Sequence, residues 1–181
     1  MATAADKETY RRFNEFIKIV VTDQKYAAKL IKNDPNLLKL ATPHVGETAL
    51  HYLTIENYVD AVLFLVQQGA DINAPDPSGN TPLMYAIKLK RGTMIELLLS
   101  NGAVVNAQKS QCDETAVSLA ARNEDLELVK KLLKLADSPE INQYFGSYEA
   151  RLYFNDQRDS AMGAYLRGLG LIDPNARFLD E

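Results

Sequence analysis

Apolar positions along the chain recur at helical spacing. Between residues 8 and 40 they form two stretches, Tyr10, Phe13, Ile17, Val20 and Val21, then Tyr26, Ala27, Leu30 and Ile31, followed by the turn Asn33-Asp-Pro-Asn36. Further on, Val62, Leu63, Leu65 and Val66 run into Gly69, and Ile95, Leu97, Leu98 and Leu99 run into Gly102. An apolar stripe that ends on glycine predicts a short helix whose C-terminal cap needs positive φ. Thr48, Thr81 and Thr115 stand where helices are expected to begin, and Pro82 falls at a first helical position, where its missing N–H costs nothing. Ala74-Pro-Asp-Pro-Ser-Gly-Asn80 has the turn chemistry of a projecting finger.

The pattern repeats. Gly46-Glu-Thr-Ala-Leu50 returns as Gly79-Asn-Thr-Pro-Leu83, and Gly69-Ala-Asp-Ile-Asn-Ala74 as Gly102-Ala-Val-Val-Asn-Ala107, each 33 residues later. Gly46, Thr48, Leu50, Leu65, Gly69, Ala70, Asn73 and Ala74 all recur identically in that register. A third copy begins one residue late at Asp113-Glu-Thr-Ala-Val117 and continues through Leu119-Ala-Ala121 and Leu126-Glu-Leu-Val-Lys-Lys-Leu-Leu133. This period, with its T-P-L-H-like and G-A-D-x-N-A-like segments, resembles the ankyrin repeat over residues 42–140. The resemblance implies an all-α ankyrin-repeat solenoid of about five stacked helix-turn-helix units with projecting finger loops. Residues 1–41 are expected to be a degenerate N-terminal cap, and 42–74, 75–107 and 108–140 the recognisable repeats. Residues 141–181 are expected to be a degenerate closing repeat, with Asn142 and Asn175 again 33 apart.

Composition narrows the function classes. A net charge of −4 and an isoelectric point near 5.3 argue against nucleic-acid binding, which needs a basic face. The longest apolar run, Ala61 to Val66, is far too short to span a membrane. Charges at Asp6, Lys7 and Glu8 interrupt the N-terminus before a signal-peptide core could form, so a cytoplasmic protein is expected.

Candidate chemistry is sparse. The only histidines, His44 and His51, flank Glu47 in a trio that could be offered as a metal site, but no third strong ligand is spaced to join them. In ankyrin repeats the histidine of T-x-x-H hydrogen-bonds toward the threonine and neighbouring loop groups, which gives His51 a structural role by resemblance. Met84 and Ser118 replace it in the next two units, and Leu53 and Ile87 stand where a small alanine is usual. Cys112 aligns to the finger expected before the third threonine, beside Asp113 and Glu114, a setting that would raise a thiol pKa rather than lower it. No phosphate-binding glycine loop or nucleophile elbow occurs. The expectation is therefore no enzyme activity, no cofactor and no metal.

The resemblance implies instead a protein-binding concave face made of finger tips and first-helix surfaces. Carried over unit by unit, the candidates are His44, Val45, Glu47, Ile55 and Glu56; Pro77, Ser78, Asn80, Lys88 and Leu89; and Gln111, Cys112, Glu114, Arg122 and Asn123. Seven of the fifteen Phe and Tyr residues follow position 140. Of these, Tyr144, Phe145 and Tyr148 either anchor a partner or repack the closing unit's own cap. Charge segregates as well: residues 1–41 carry net +3, and residues 42–74 carry no Lys or Arg and net −4. The first clear unit is thus suited to a basic partner segment.

The expected function is a non-catalytic adaptor, scaffold or inhibitor, monomeric, that binds another protein rather than nucleic acid or membrane. The alternative is a small-ligand or enzyme-accessory role, with a pocket near Arg151, Tyr153 and Tyr165. The loop from Leu65 to Asn73 also resembles the one that asparaginyl hydroxylases modify in animal ankyrin repeats.

Overall fold

The computed structural model describes residues 3–105, 114–136 and 160–170. Within them the chain forms α1 (Ala4–Thr22), α2 (Gln24–Asn33) and a 3₁₀ turn (Pro35–Lys39). Three helix pairs follow: α3 (Ala49–Ile55) with α4 (Val59–Gln67), α5 (Pro82–Lys88) with α6 (Gly92–Ser100), and α7 (Ala116–Arg122) with α8 (Leu126–Leu135). The last described element is α9 (Ala161–Gly168). Helices within a pair pack together, and α3, α5 and α7 pack in series as an inner row, with α4 against α6 outside. The result is an all-α repeat solenoid.

The ends of these helices follow from local chemistry. Thr48, Thr81 and Thr115 are N-caps in extended backbone. The Thr81 hydroxyl accepts from the Met84 N–H at 3.4 Å. Thr115 and Ser118 bond each other reciprocally, the Thr115 N–H donating to Ser118 Oγ at 2.9 Å and the Ser118 N–H to Thr115 Oγ1 at 3.2 Å. Serine thus keeps the capping function of the motif where histidine is missing.

Both outer-helix ends at Gly69 and Gly102 turn at positive φ, 92° and 91°. There the Ala70 N–H reaches back to the Leu65 carbonyl at 3.0 Å, and the Ala103 N–H to that of Leu98 at 2.9 Å. This is the hydrogen-bond pattern of a Schellman cap. The inner helices end in the same way, but on Asn57 (φ 63°), Lys90 (φ 54°) and Glu124 (φ 60°). The N–H groups of Tyr58, Arg91 and Asp125 close those turns onto Leu53, Ala86 and Ala120. A left-handed lysine carries steric strain that glycine lacks. Lys90→Gly is expected to raise stability by about 0.5–1 kcal/mol, the relieved strain being partly offset by added freedom in the unfolded chain. Urea unfolding checks this; a lower midpoint would show that the Lys90 side chain makes compensating contacts.

A continuous core runs from Phe13, Phe16 and Val20 of α1 through Leu50, Leu53, Leu65, Leu83, Ile87, Leu98 and Leu119 to Leu132, and on to Met162 and Leu166 of α9. Leu53 and Ile87 are fully buried, so the stack absorbs these larger side chains without exposing either. Adjacent hairpins are tied by Asn73, whose side-chain oxygen accepts from the Val104 N–H at 2.8 Å. The fingers precede the inner helices. In the first, Ala41 bridges Thr48, and the Thr42 N–H donates to the Glu47 carbonyl at 2.9 Å. The second spans residues 74–80, closed by the Asp76 N–H on the Asn80 carbonyl at 2.9 Å.

Candidate partner-binding face

The second finger is built around one carboxylate. Asp76, flanked by two prolines, is 6% exposed. Its Oδ1 accepts from the N–H groups of Ser78 and Asn80, both at 2.8 Å, and its Oδ2 accepts from Asn80 Nδ2 at 3.2 Å and the Tyr85 hydroxyl at 2.7 Å. Burial acts to raise the Asp76 pKa, but the donors from Tyr85, Asn80 and Ser78 outweigh it and hold the carboxyl below its usual range. Glu47 of the first finger lies against the same hydroxyl, its Oε1 at 3.5 Å from Tyr85 Oη. Burial and the neighbouring Asp76 charge raise the Glu47 pKa against the weaker pull of that hydroxyl. The phenol itself is raised by burial and by the two carboxylates.

His51 links the first inner helix to the second finger. Its Nδ1 lies 2.8 Å from Thr48 Oγ1 and 3.3 Å from the Thr48 backbone nitrogen, which assigns it as acceptor. Nε2 then carries the proton and donates to the Asn80 carbonyl at 3.1 Å. Both ring nitrogens are engaged within the fold, while His44 faces Asp6 at 3.8 Å and Glu47 faces Tyr85. The His44–Glu47–His51 trio does not converge.

Burial lowers the His51 pKa, although the Asn80 carbonyl and the Asp76 charge pull it the other way. As pH falls, the unfolded chain therefore takes up this proton before the folded one does. Stability is expected to be full above about pH 6.5 and to decline as pH falls through the folded-state pKa. Urea unfolding across that range checks it. The His51→Gln variant should lose this part of the slope; an unchanged slope would assign it to other groups.

Further along the inner row, Lys88 Nζ donates to Asn80 Oδ1 at 2.7 Å and pairs with Glu114 Oε2 at 3.0 Å. Arg122 pairs with the other oxygen of Glu114, and Asn123 Nδ2 donates to the Ile87 carbonyl of the neighbouring unit. Glu114 is thus held between two cations of the protein itself.

Sequence placed all these residues on one binding surface, but the structure divides them. Val45 (55% exposed) and Leu89 (42% exposed) present apolar surface to solvent. His44, Glu56, Pro77, Ser78 and Arg122 are also exposed, whereas Glu47, Ile55, Lys88, Glu114 and Asn123 are partly buried. Asn80 is a correction: at 7% exposure its amide is turned inward to Asp76 and Lys88, so it supports the finger and presents little surface. Gln111, Cys112, Tyr144, Phe145 and Tyr148 lie outside the described residues, as do Arg151 and Tyr153; Tyr165 is partly buried, with Lys130 over its ring at 5.8 Å.

Two contributors were missed. Asp76 reads in sequence as turn chemistry alone, though a carboxylate between two prolines ahead of Ser-Gly-Asn is a strong Asx-turn signal. Tyr85 repeats Tyr52 at the same 33-residue interval, a recurrence on the inner helices that marks them as equivalent positions. Tyr52 itself meets Phe13 edge-on, with ring centroids 5.8 Å apart.

Stacked helix pairs, inner and outer rows and threonine-capped inner helices preceded by fingers define a helical repeat protein of the finger-bearing class. The family model "Ankyrin repeats (3 copies)" matches residues 19–109, half of the chain, and the chain belongs to the ankyrin-repeat family. It is 40% identical over 82 residues to a putative ankyrin repeat protein of Fowlpox virus (strain NVSL), covering 44% of this chain and 24% of that protein. It is 29% identical over 126 residues to a putative ankyrin repeat protein of Rickettsia felis, covering 69% of this chain and 41% of that one. A third relative, 37% identical over 86 residues, is a serine/threonine-protein kinase of Arabidopsis thaliana, of which 19% is covered against 48% of this chain. The chain spans less than half the length of each of these relatives. Ankyrin repeats generally mediate protein–protein interaction and are not themselves catalytic, although kinases also carry them. Among the described residues, no helix is long and apolar enough to cross a membrane.

Proposed function

We propose that this chain is a non-catalytic binding module, an adaptor, scaffold or inhibitor that acts as a monomer in the cytoplasm and holds a partner protein on its concave face. The observation that carries this reading is a division of labour along the fingers and inner helices. Asp76, Asn80, Lys88 and Glu114 are spent on holding the fingers in place, while Val45 and Leu89 are left exposed beside them. A face fixed before binding loses little conformational freedom when a partner docks, which favours affinity.

Ile55 is partly buried, so a charge there would report on folding as well as on contact. Val45 and Leu89 are the better probes. The paired change Val45→Asp and Leu89→Asp is expected to leave the thermal midpoint within a few degrees of the parent, because both side chains are exposed. It should reduce capture of the chain's partner from source cells by at least about tenfold, the scale of one lost anchor. Unaltered capture by the folded variant would contradict the choice of face.

A further inference from the structure

Glu47 is poorly served by the fold that holds it. It is partly buried, and among the described residues the side chains set against its carboxyl are the Tyr85 hydroxyl and the Asp76 carboxylate. The Tyr85 hydroxyl has one proton to donate and directs it to Asp76 at 2.7 Å, leaving Glu47 at 3.5 Å. No cation of the described residues is paired with Glu47. The surrounding sequence offers none, since residues 42–74 contain no Lys or Arg. The third unit, where Glu114 precedes Thr115 as Glu47 precedes Thr48, shows the contrast: there Glu114 is held between Lys88 and Arg122. Two residues before Glu47, Val45 stands exposed at the tip of the same finger.

We infer that the first finger and the Glu47–Tyr85 contact form the seat for a basic segment of the partner protein, in which a lysine or arginine pairs with Glu47 and an adjoining apolar side chain covers Val45. This inference rests on the concave-face reading and gives it a partner chemistry. Two observations on the same finger agree, a carboxylate with no counter-charge among the described residues and an exposed apolar side chain two residues away, and the unit that carries them has a net charge of −4. The arriving cation supplies the counter-charge that the chain withholds, and the unit's field speeds the encounter. The raised Glu47 pKa fits this picture, because a partly desolvated carboxylate gains most from a cation that displaces the remaining water.

The test pans a phage-displayed library of random peptides, about a dozen residues each, against the full chain and measures the affinity of the enriched sequences as synthetic peptides. Enriched peptides are expected to carry a clear excess of Lys and Arg next to an apolar residue. Their binding should weaken about tenfold or more as salt rises from roughly 50 to 300 mM. Glu47→Gln should weaken it by about tenfold while Glu127→Gln, on the exposed side of α8, leaves it unchanged. Glu47→Gln should also unfold at the same temperature as the parent or higher, which separates lost binding from lost folding. Neutral or acidic peptides, or basic ones that bind the Glu47→Gln variant equally well, would overturn the inference. If those peptides are nevertheless lost in the Val45→Asp, Leu89→Asp variant, the concave-face reading survives without the basic partner; insensitivity to that variant too would sink both. A dimer in sedimentation velocity that Glu47→Gln dissolves would make the occupant the basic cap of a second copy, and would overturn the assignment to a foreign partner.

Discussion

Asp76→Ala should lower stability by about 3–4 kcal/mol, the scale of removing a buried charged acceptor from several donors at once. The carboxylate is the common acceptor of the Ser78 and Asn80 amides, the Asn80 side chain and the Tyr85 hydroxyl. Alanine leaves those donors without it in a site where water has little access. Asp76→Asn separates the parts of the effect. Its remaining oxygen can still receive the two backbone amides, but its amino group cannot receive the Tyr85 proton, so a smaller loss of about 1–2 kcal/mol is expected. The acid limb of the stability curve supplies a second reading. Because the folded pKa of Asp76 lies below the unfolded one, its contribution is present above the unfolded carboxylate range and is lost as pH falls through the folded pKa. Asp76→Ala should flatten that limb. Urea titrations of the two variants check both expectations; an alanine variant within about 0.5 kcal/mol of the parent would show that the finger does not depend on this carboxylate.

The second large effect concerns how one finger rests on the next. Gly46 sits at φ +72°, and a Cβ added there would lie 2.3 Å from Cγ and 2.6 Å from Cδ of Pro77. A change of ring pucker shifts Cγ a little, but Cδ is bonded to the backbone nitrogen of Pro77 and cannot swing aside as a flexible side chain would. Gly46→Ala therefore combines left-handed strain with a hard overlap between successive fingers, and is expected to cost about 2–4 kcal/mol. Pro77→Ala should be mild alone, since Pro77 is exposed. In the double variant the overlap is gone and the backbone strain remains, so the penalty of Gly46→Ala should fall to about 1–2 kcal/mol. Additive effects in the thermodynamic cycle would show that the two fingers do not bear on each other.

Much of the fold was legible because its determinants are local. Thr48, Thr81 and Thr115 cap helices through groups three residues away, and Gly69 and Gly102 cap them through backbone conformations that glycine adopts freely. The inner-helix ends gave no such signal. Lys90 and Glu124 occupy left-handed positions that their side chains disfavour, closed by the backbone hydrogen bonds of Arg91 to Ala86 and of Asp125 to Ala120.

The proposed binding face was legible as a set of positions, but not in the contacts those positions make within the fold. Asn80 looks like a finger-tip residue in sequence, yet its direction is fixed by Asp76 four residues back and Lys88 eight residues on. The Glu47–Tyr85 contact spans 38 residues, and no periodicity of a single helix announces it. What sequence did carry was the charge distribution. The lack of Lys and Arg in residues 42–74 is the feature that the geometry around Glu47 turns into a statement about partner chemistry.

On the proposed function, the fingers and inner helices, and not the outer helices, receive the partner. Amide hydrogen exchange of the full chain, alone and saturated with the partner it captures, tests this most directly. Slowed exchange is expected at Val45, Glu47 and Ser78 in the fingers and around Leu89 at the end of α5, with α4, α6 and α8 unchanged. Protection confined to α4, α6 and α8, with the fingers exchanging as in the free protein, would contradict it.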